Sequence, residues 1–151
     1  KPLGREAETF VASVSDGDMK IVKAIRDRLE QFDYVVAYYG SRFDLPFLNT
    51  RLLSYRQRPI STIRLVDPYY TAKFNLKLHS NRMVVVEEFL YGKTIKTRLI
   101  GSIWIKAIRG NEEAMNYLID HCEADVDILE RVFLDLHGMM NLSRTPLRRY
   151  A

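Results

Sequence analysis

Apolar residues recur at two kinds of spacing along the chain, and the two alternate. Short runs rich in β-branched and aromatic side chains predict strands, and these runs lie at 8–15, 34–39 and 60–66. Apolar residues at steps of three and four predict helices, and these segments lie at 19–32, 43–55, 69–74, 82–91, 100–109 and 112–137. Strands that alternate with helices indicate an α/β fold.

The length of the chain limits the number of domains. Its 151 residues, 47% of them apolar and 28% charged, fit one globular domain, which we place at 1–141, followed by a basic tail at 142–151. Apolar runs are far shorter than a membrane-spanning helix, so no membrane partner is expected. Cys122 is the only cysteine, which excludes a disulfide framework and favours an intracellular, cytoplasmic location.

Charged residues are segregated along the sequence. Residues 51–109 contain 12 basic and 3 acidic side chains, net +9, whereas residues 110–141 contain 1 basic and 8 acidic, net −7. A basic segment favours a polyanionic partner such as nucleic acid, and an acidic one could gather divalent cations. The alternative is a surface whose solvated charges simply fall in blocks.

Two polar residues interrupt the apolar face of the last predicted helix. His121 and Asp125 are four positions apart and therefore lie on one side of that helix. A carboxylate on a core-facing stripe must be paired, hydrogen-bonded or bound to a metal. The alternative to a functional role is a structural His–Asp pair.

Two further carboxylates follow predicted strands. Asp44 comes after the 34–39 strand and opens a helix, and Asp67 ends the 60–66 strand. Ligands of open α/β sheets bind beyond the carboxyl ends of strands. A helix-start carboxylate and an Asp-Pro turn are the structural alternatives. Taken with His121 and Asp125, these acids are of the type that holds divalent ions for phosphodiester hydrolysis.

Three segments together resemble a known family. Residues 34–51 (YVVAYYGSRFDLPFLNTR) resemble the second motif of 3′→5′ exonucleases with an RNase H-like fold, the DEDD-type superfamily. Residues 121–126 (HCEADV) resemble the third motif, and Asp67 with the Ala72-Lys73 pair resembles a strand-end Asp and the helix after it. The similarity is greatest to predicted exonucleases related to the proofreading domain of family B DNA polymerases, and it covers roughly residues 8 to 137.

The resemblance implies both a fold and an activity. The fold is an RNase H-like mixed sheet flanked by helices, and the activity is hydrolysis of terminal phosphodiesters with two Mg²⁺ or Mn²⁺ ions. Asp44 and Asp125 are then metal ligands and catalytic residues, His121 is the candidate general base, and Asp67 supports the site. The spacing of His121 from Asp125 is that of the family members with a tyrosine base, although the residue is histidine.

Two departures from the family limit that expectation. The first motif, an Asp-x-Glu pair on an apolar strand, is missing; Glu6 and Glu8 match its letters but not its context. Tyr39 stands where the family usually has Asn. We therefore expect a fold that lacks its first strands and a chain that is weak or inactive as a nuclease unless an upstream segment or a partner chain completes the sheet. The alternative is a degenerate nucleic-acid-binding or assembly module.

Candidate contacts to nucleic acid lie mainly in the middle of the chain. The expected partner is DNA or RNA, in particular single-stranded 3′ ends, bound by basic and aromatic side chains. The candidates are Tyr39, Arg42, Phe43, Arg51, Lys73, Lys77 and Arg82, and Tyr38, Tyr69 and Tyr70 could also stack on a terminal base. Other aromatic residues are assigned to the core, namely Phe47, Trp104 and Phe133. The alternative for any one of the candidates is a solvated charge or a core ring.

Overall fold

The computed structural model describes residues 1–12, 17–60, 62–94, 99–140 and 148–149. These residues form six α-helices, one short 3₁₀ helix and three strands. In chain order they are α1 (Met19–Leu29), β1 (Tyr34–Val36), α2 (Asp44–Ser54), β2 (Thr62–Val66), α3 (Pro68–Asn75), α4 (Met83–Tyr91), α5 (Gly101–Ile108), α6 (Glu112–Leu136), the 3₁₀ helix His137–Met139 and β3 (Arg148–Arg149). Of the helices in these ranges, none has the length and apolar surface needed to cross a bilayer.

The sheet is mixed, as the sequence predicts. β1 and β2 are parallel, with Tyr34 opposite Arg64 and Val36 opposite Val66. β3 pairs antiparallel with the start of β2, so the strand order is β1-β2-β3. Two residues of the predicted basic tail thus belong to the sheet, while 141–147 lie outside the described residues.

One core lies between the sheet and helices α1 and α2. It is built from buried aliphatic side chains of both layers, which are Val22, Leu45, Leu52, Ile60, Ile63 and Leu65. Leu45 and Leu52 are seven residues apart on α2 and therefore face the same side. This packing holds the beginning of α2 against the end of β1.

A second core lies along the long helix α6. Ile128, Val132 and Leu136 of α6 pack against Ala72 of α3 and Val86 of α4. The N-terminal half of α6 contacts α5 through small and aliphatic side chains, which are Ala107, Ala114 and Leu118. Asn111 caps α6, since its side chain accepts a hydrogen bond from the Ala114 amide.

Two predicted strands differ from the structure. The prediction of a strand at 8–15 is wrong over 8–12, and 13–15 lie outside the described residues. The polar side chains of that segment contact helices instead, with Arg28 Nε donating to Glu8 at 2.8 Å and the Thr9 hydroxyl donating to Glu123 at 2.5 Å. The strand predicted at 34–39 ends at Val36, because the chain turns at Tyr39.

Two of the three aromatic residues assigned to the core are on the surface. Phe47 is 55% exposed and Trp104 is 47% exposed. Each lies on a short helix that buries only one side, Leu45 and Leu52 on α2 and Ala107 on α5. Helical spacing alone does not say which side faces the core when both sides carry apolar residues.

Candidate functional site

The loop between β1 and α2, residues 37–44, is shaped by two backbone constraints. Tyr39 has φ of 60°, the left-handed region that costs a non-glycine residue about 1 kcal/mol. A Cβ placed on Gly40 would lie 2.4 Å from the Cβ of Ala37, so only glycine fits there. The Leu45 amide donates to the Gly40 carbonyl at 3.0 Å and carries the chain into α2. We refer to residues 37–44 as the motif loop.

Asp67 ties the motif loop to the end of β2. Its Oδ1 accepts hydrogen bonds from the Tyr39 amide at 2.7 Å and the Tyr69 amide at 3.2 Å. Its Oδ2 accepts from the Ser41 hydroxyl at 3.2 Å. Asp67 therefore caps α3 and also holds Tyr39 in its left-handed conformation. This is the geometry of a supporting residue whose oxygens are already engaged.

Asp44 is the first residue of α2, and its Oδ2 lies close to Gly40, the residue between Tyr39 and Ser41, both of which donate to Asp67. Desolvation by the surrounding chain raises the pKa of Asp44, and the charge of Asp67 raises it further. The structure thus places two carboxylates together beyond the carboxyl ends of parallel strands β1 and β2, where the sequence predicts a ligand site.

His121 and Asp125 form the second polar pair. His121 is 5% exposed, and its Nε2 lies 3.5 Å from Asp125 Oδ2 across one turn of α6. Tyr38 of the motif loop packs against the cluster that contains Ala72, Val86 and Ile128. This geometry matches a structural His–Asp pair, the alternative to a functional role in the sequence analysis.

The carboxylates are grouped in pairs rather than in one cluster. Among the residues that the structure describes, no group of three or more His, Cys, Asp or Glu side chains could hold a metal ion. The structure therefore brings Asp44 to Asp67 and His121 to Asp125 but does not join the pairs into one ligand set. These residues alone do not fit a two-ion centre.

Aromatic rings cover the surface beside the motif loop. Tyr39 and Tyr69 have ring centroids 4.6 Å apart, and Tyr69 and Tyr70 are 5.1 Å apart. Tyr70 and Phe74 follow at 6.1 Å with planes inclined by 20°. Phe74 is 75% exposed and Tyr39 is 42% exposed. We call these four rings the aromatic track.

The predicted basic contacts occupy different environments. Arg42 Nε donates to the Tyr70 hydroxyl at 3.3 Å, which lowers the pKa of that hydroxyl. Arg51 instead binds Asp18 through two hydrogen bonds of 2.7 and 2.6 Å, and it holds the pKa of Asp18 well below its usual range. The charge of Arg51 is thus compensated within the protein. The remaining candidates are exposed, and these are Phe43, Lys73, Lys77 and Arg82.

Two residues of the site were not predicted from sequence. Ser41 is buried, and its hydroxyl donates a hydrogen bond to the Asp67 carboxylate, which also accepts from the Tyr39 amide. Phe74 extends the aromatic track, and its position four residues after Tyr70 on a predicted helix is the signal that could have found it. No sequence pattern marks Ser41, because its role depends on Asp67, which is 26 residues away.

One edge of β1 faces a cavity. Val35 pairs with β2, so in a parallel ladder the backbone groups of Tyr34 and Val36 point the other way. β1 also lines a cavity of about 380 Å³, together with Val126, Leu129 and Phe133 of α6. A second cavity of about 360 Å³ shares part of its lining, under the segment 1–10. We call this side the open edge of β1.

A comparison with protein families matches the chain to one of them. The model of the RNase H superfamily matches residues 3–136, which include the motif loop, Asp67 and the His121–Asp125 turn. A search of curated proteins found no relative that matches this sequence.

Proposed function

Because the chain belongs to the RNase H superfamily, we propose that it is a nuclease-type domain of the metal-dependent 3′→5′ exonuclease kind. It binds the end of a nucleic-acid strand at the motif loop and hydrolyses the terminal phosphodiester when its acidic site is complete. The observation that supports this most is that Asp44 and Asp67 both lie beyond the carboxyl ends of two parallel strands, β1 and β2. Surrounding aromatic and basic side chains fit a nucleic-acid ligand.

The proposal divides the roles among the chain's own residues. Asp44 is the exposed carboxylate that faces the ligand, and Asp67 shapes the loop around it. His121 takes a proton from the attacking water, and Asp125 orients its imidazole from 3.5 Å. Mg²⁺ or Mn²⁺ at this site would require carboxylates beyond Asp44 and Asp125, because the described residues do not form one ligand set.

The missing carboxylates are proposed to come from a strand at the open edge of β1. A strand there would use the backbone groups of Tyr34 and Val36 and would cover Leu129 and Phe133 with apolar side chains. If it runs parallel to β1, its carboxyl end lies beside the motif loop, where an Asp-x-Glu pair would join Asp44. Either an upstream segment or a partner chain could supply this strand.

Hydrogen exchange tests whether this edge is open. The Val36 amide is expected to exchange much faster than the amides of Val35 and Ala37, because the latter two bond to β2. Protection of Val36 equal to that of Val35 would contradict an open edge in this chain.

Hydrolysis of a labelled single strand in Mg²⁺ or Mn²⁺ tests the activity itself. We expect slow stepwise shortening from the 3′ end that is lost in Asp44→Asn and Asp125→Asn. Asp120→Asn is the matched control, since Asp120 is an exposed aspartate elsewhere on α6. Hydrolysis that all three variants retain would exclude this site.

A second candidate function is a binding module without hydrolysis. The absence of a group of three metal-ligating side chains among the described residues favours it. It predicts salt-sensitive binding of a single strand that is unchanged in Asp125→Asn, with no shortening in either metal.

A further inference from the structure

Helix α5 exposes most of its apolar residues. Its packing against α6 uses one side only, that of Ile103 and Ala107, which are four residues apart. The neighbouring side of the helix is also apolar, and it faces solvent. Its members are each between 47% and 61% exposed, and they are Ile100, which precedes the helix, Trp104, Ile105 and Ile108. We call these four residues the α5 face.

The spacing makes the α5 face one continuous patch. Positions 100, 104 and 108 follow one another at steps of four, and Ile105 lies between Trp104 and Ile108 in sequence, three residues from the latter. Single exposed apolar residues are normal on a protein surface, whereas a contiguous apolar patch marks a surface that another element covers. Helix α5 therefore has the pattern of a helix that is covered on two sides, and the described residues cover one of them.

Charges of both signs border the α5 face. Lys106 and Arg109 are exposed at the end of α5, and Glu112 and Glu113 are exposed in the first turn of α6. The ion pairs within the described ranges involve other residues, so these four charges are available to a partner.

This border is complementary to itself. A two-fold axis beside the face can bring the basic group of one copy to the acidic group of the other, and symmetry repeats the contact. A partner that is acidic or basic throughout would instead meet like charge at one of the two groups. The charges thus favour a second copy of this chain over a partner of uniform charge.

We propose that the α5 face is a homodimer interface, in which two copies of this chain pack their α5 helices about a two-fold axis. The apolar residues form its buried centre, and the charges at the border fix the orientation. Four half-exposed side chains offer less than the roughly 800 Å² per partner of a standard interface, so association is expected to be weak, in the micromolar range.

The dimer is independent of the nuclease activity and of the strand proposed at β1. Helix α5 packs on Ala114 and Leu118, near the beginning of α6. The cavity beside β1 is instead lined by α6 residues from Val126 onwards. The two surfaces therefore lie on different parts of α6, and variants can alter one without the other.

Sedimentation equilibrium of the whole chain at increasing concentration tests the interface. We expect a monomer–dimer equilibrium, and Ile105→Glu should raise its dissociation constant about thirtyfold or more, because a charge enters the apolar centre from both copies. Leu134→Glu is the matched control and should leave the equilibrium unchanged, since Leu134 is an aliphatic residue, 46% exposed, that lies far along α6 from the residues that contact α5.

Two results of this experiment would overturn the proposal. A chain that stays monomeric up to about 1 mM has no such interface, and the α5 face would then belong to contacts with a different protein. A dimer that Ile105→Glu leaves intact, or that Leu134→Glu dissociates equally, is held together by another surface.

A charge exchange tests the orientation without changing the apolar residues. Lys106→Glu combined with Arg109→Glu makes the border acidic throughout, and Glu112→Lys combined with Glu113→Lys makes it basic throughout. Each double variant alone should dissociate, whereas an equimolar mixture should form a heterodimer about tenfold tighter than either homodimer. Circular dichroism checks that both variants keep their helices. A mixture that associates no more tightly than its components would overturn the two-fold arrangement.

Discussion

The two edges of β1 differ sharply in how they are packed. On one side β1 pairs with β2, and Leu45, Leu52 and Ile63 form a closed core with exposed fractions of 3%, 1% and 2%. On the other side β1 faces a cavity of about 380 Å³ and half-buried side chains of α6. The closed side therefore owes its stability to apolar packing, whereas the open edge has polar contacts at its rim, such as Gly4 N–H to Glu130 at 2.6 Å.

The difference explains which part of the site is organised. Asp67 can hold the motif loop through the Tyr39 amide and the Ser41 hydroxyl because β1 and β2 are fixed side by side. Elsewhere among the described residues, the carboxylates do not meet in one metal-ligating cluster. In the proposed function, the face that binds the strand therefore belongs to the closed side, and hydrolysis depends on what covers the open edge.

The largest predicted effect compares core leucines on the two sides. Leu52→Ala should lower the free energy of unfolding by about 2–5 kcal/mol, because it leaves a cavity in a closed core. Leu129→Ala should cost about 1 kcal/mol, since Leu129 already borders an open space. Denaturant unfolding measures both values, and equal losses would remove the distinction between the two sides.

The next effect concerns carboxylates that accept backbone hydrogen bonds. Asp67→Ala should cost about 1–3 kcal/mol, since it leaves the Tyr39 and Tyr69 amides without their acceptor. Glu130→Ala at the rim of the open edge should cost less than about 1 kcal/mol, because its bonds to Lys1 and Gly4 are near solvent. Asp67→Asn keeps an acceptor and should restore much of the loss. A larger cost at Glu130 would reverse the comparison.

The smallest predicted effect is a pH dependence of the protein's stability that arises from Asp44. Because the folded chain raises its pKa, the ionised carboxylate is less favourable in the folded state than in the unfolded one. Wild-type stability from this group is complete below the ordinary aspartate pKa of about 3.9 and is lost as pH rises through the higher folded value. Asp44→Asn should therefore raise Tm slightly at pH 7 and not at pH 3. A lower Tm at pH 7 would contradict the sign.

The sequence predicts local structure here better than it predicts the site. Helical spacing locates α2, α4 and α6 to within one or two residues, because each has a continuous apolar stripe. It also places Asp44 and Asp67 at strand ends, and parallel pairing then brings them together. Its position in the sequence does not say whether Asp67 supports the motif loop or binds a ligand. That role depends on the Tyr39 amide, 28 residues away, and the Ser41 hydroxyl, 26 residues away.

The strand predicted at 8–15 shows the opposite limit. Its polar and apolar residues alternate as they do in a strand, but a strand also needs a neighbouring strand to pair with. In this segment, Glu8 binds Arg28 and Thr9 binds Glu123 instead. The exposed Phe47 and Trp104 follow the same logic, since an apolar position on a short helix is buried only if another element covers it. Tertiary contacts decide these cases, and the pattern does not encode them.

Hydrogen exchange of the whole chain with and without a single strand of eight nucleotides tests most directly where the ligand binds. We predict that added protection is concentrated at 37–44 and 68–75, the motif loop and α3. Protection concentrated instead on α5, at 101–108, or none at all under conditions where the strand is bound, would contradict the assignment of this face as the binding site.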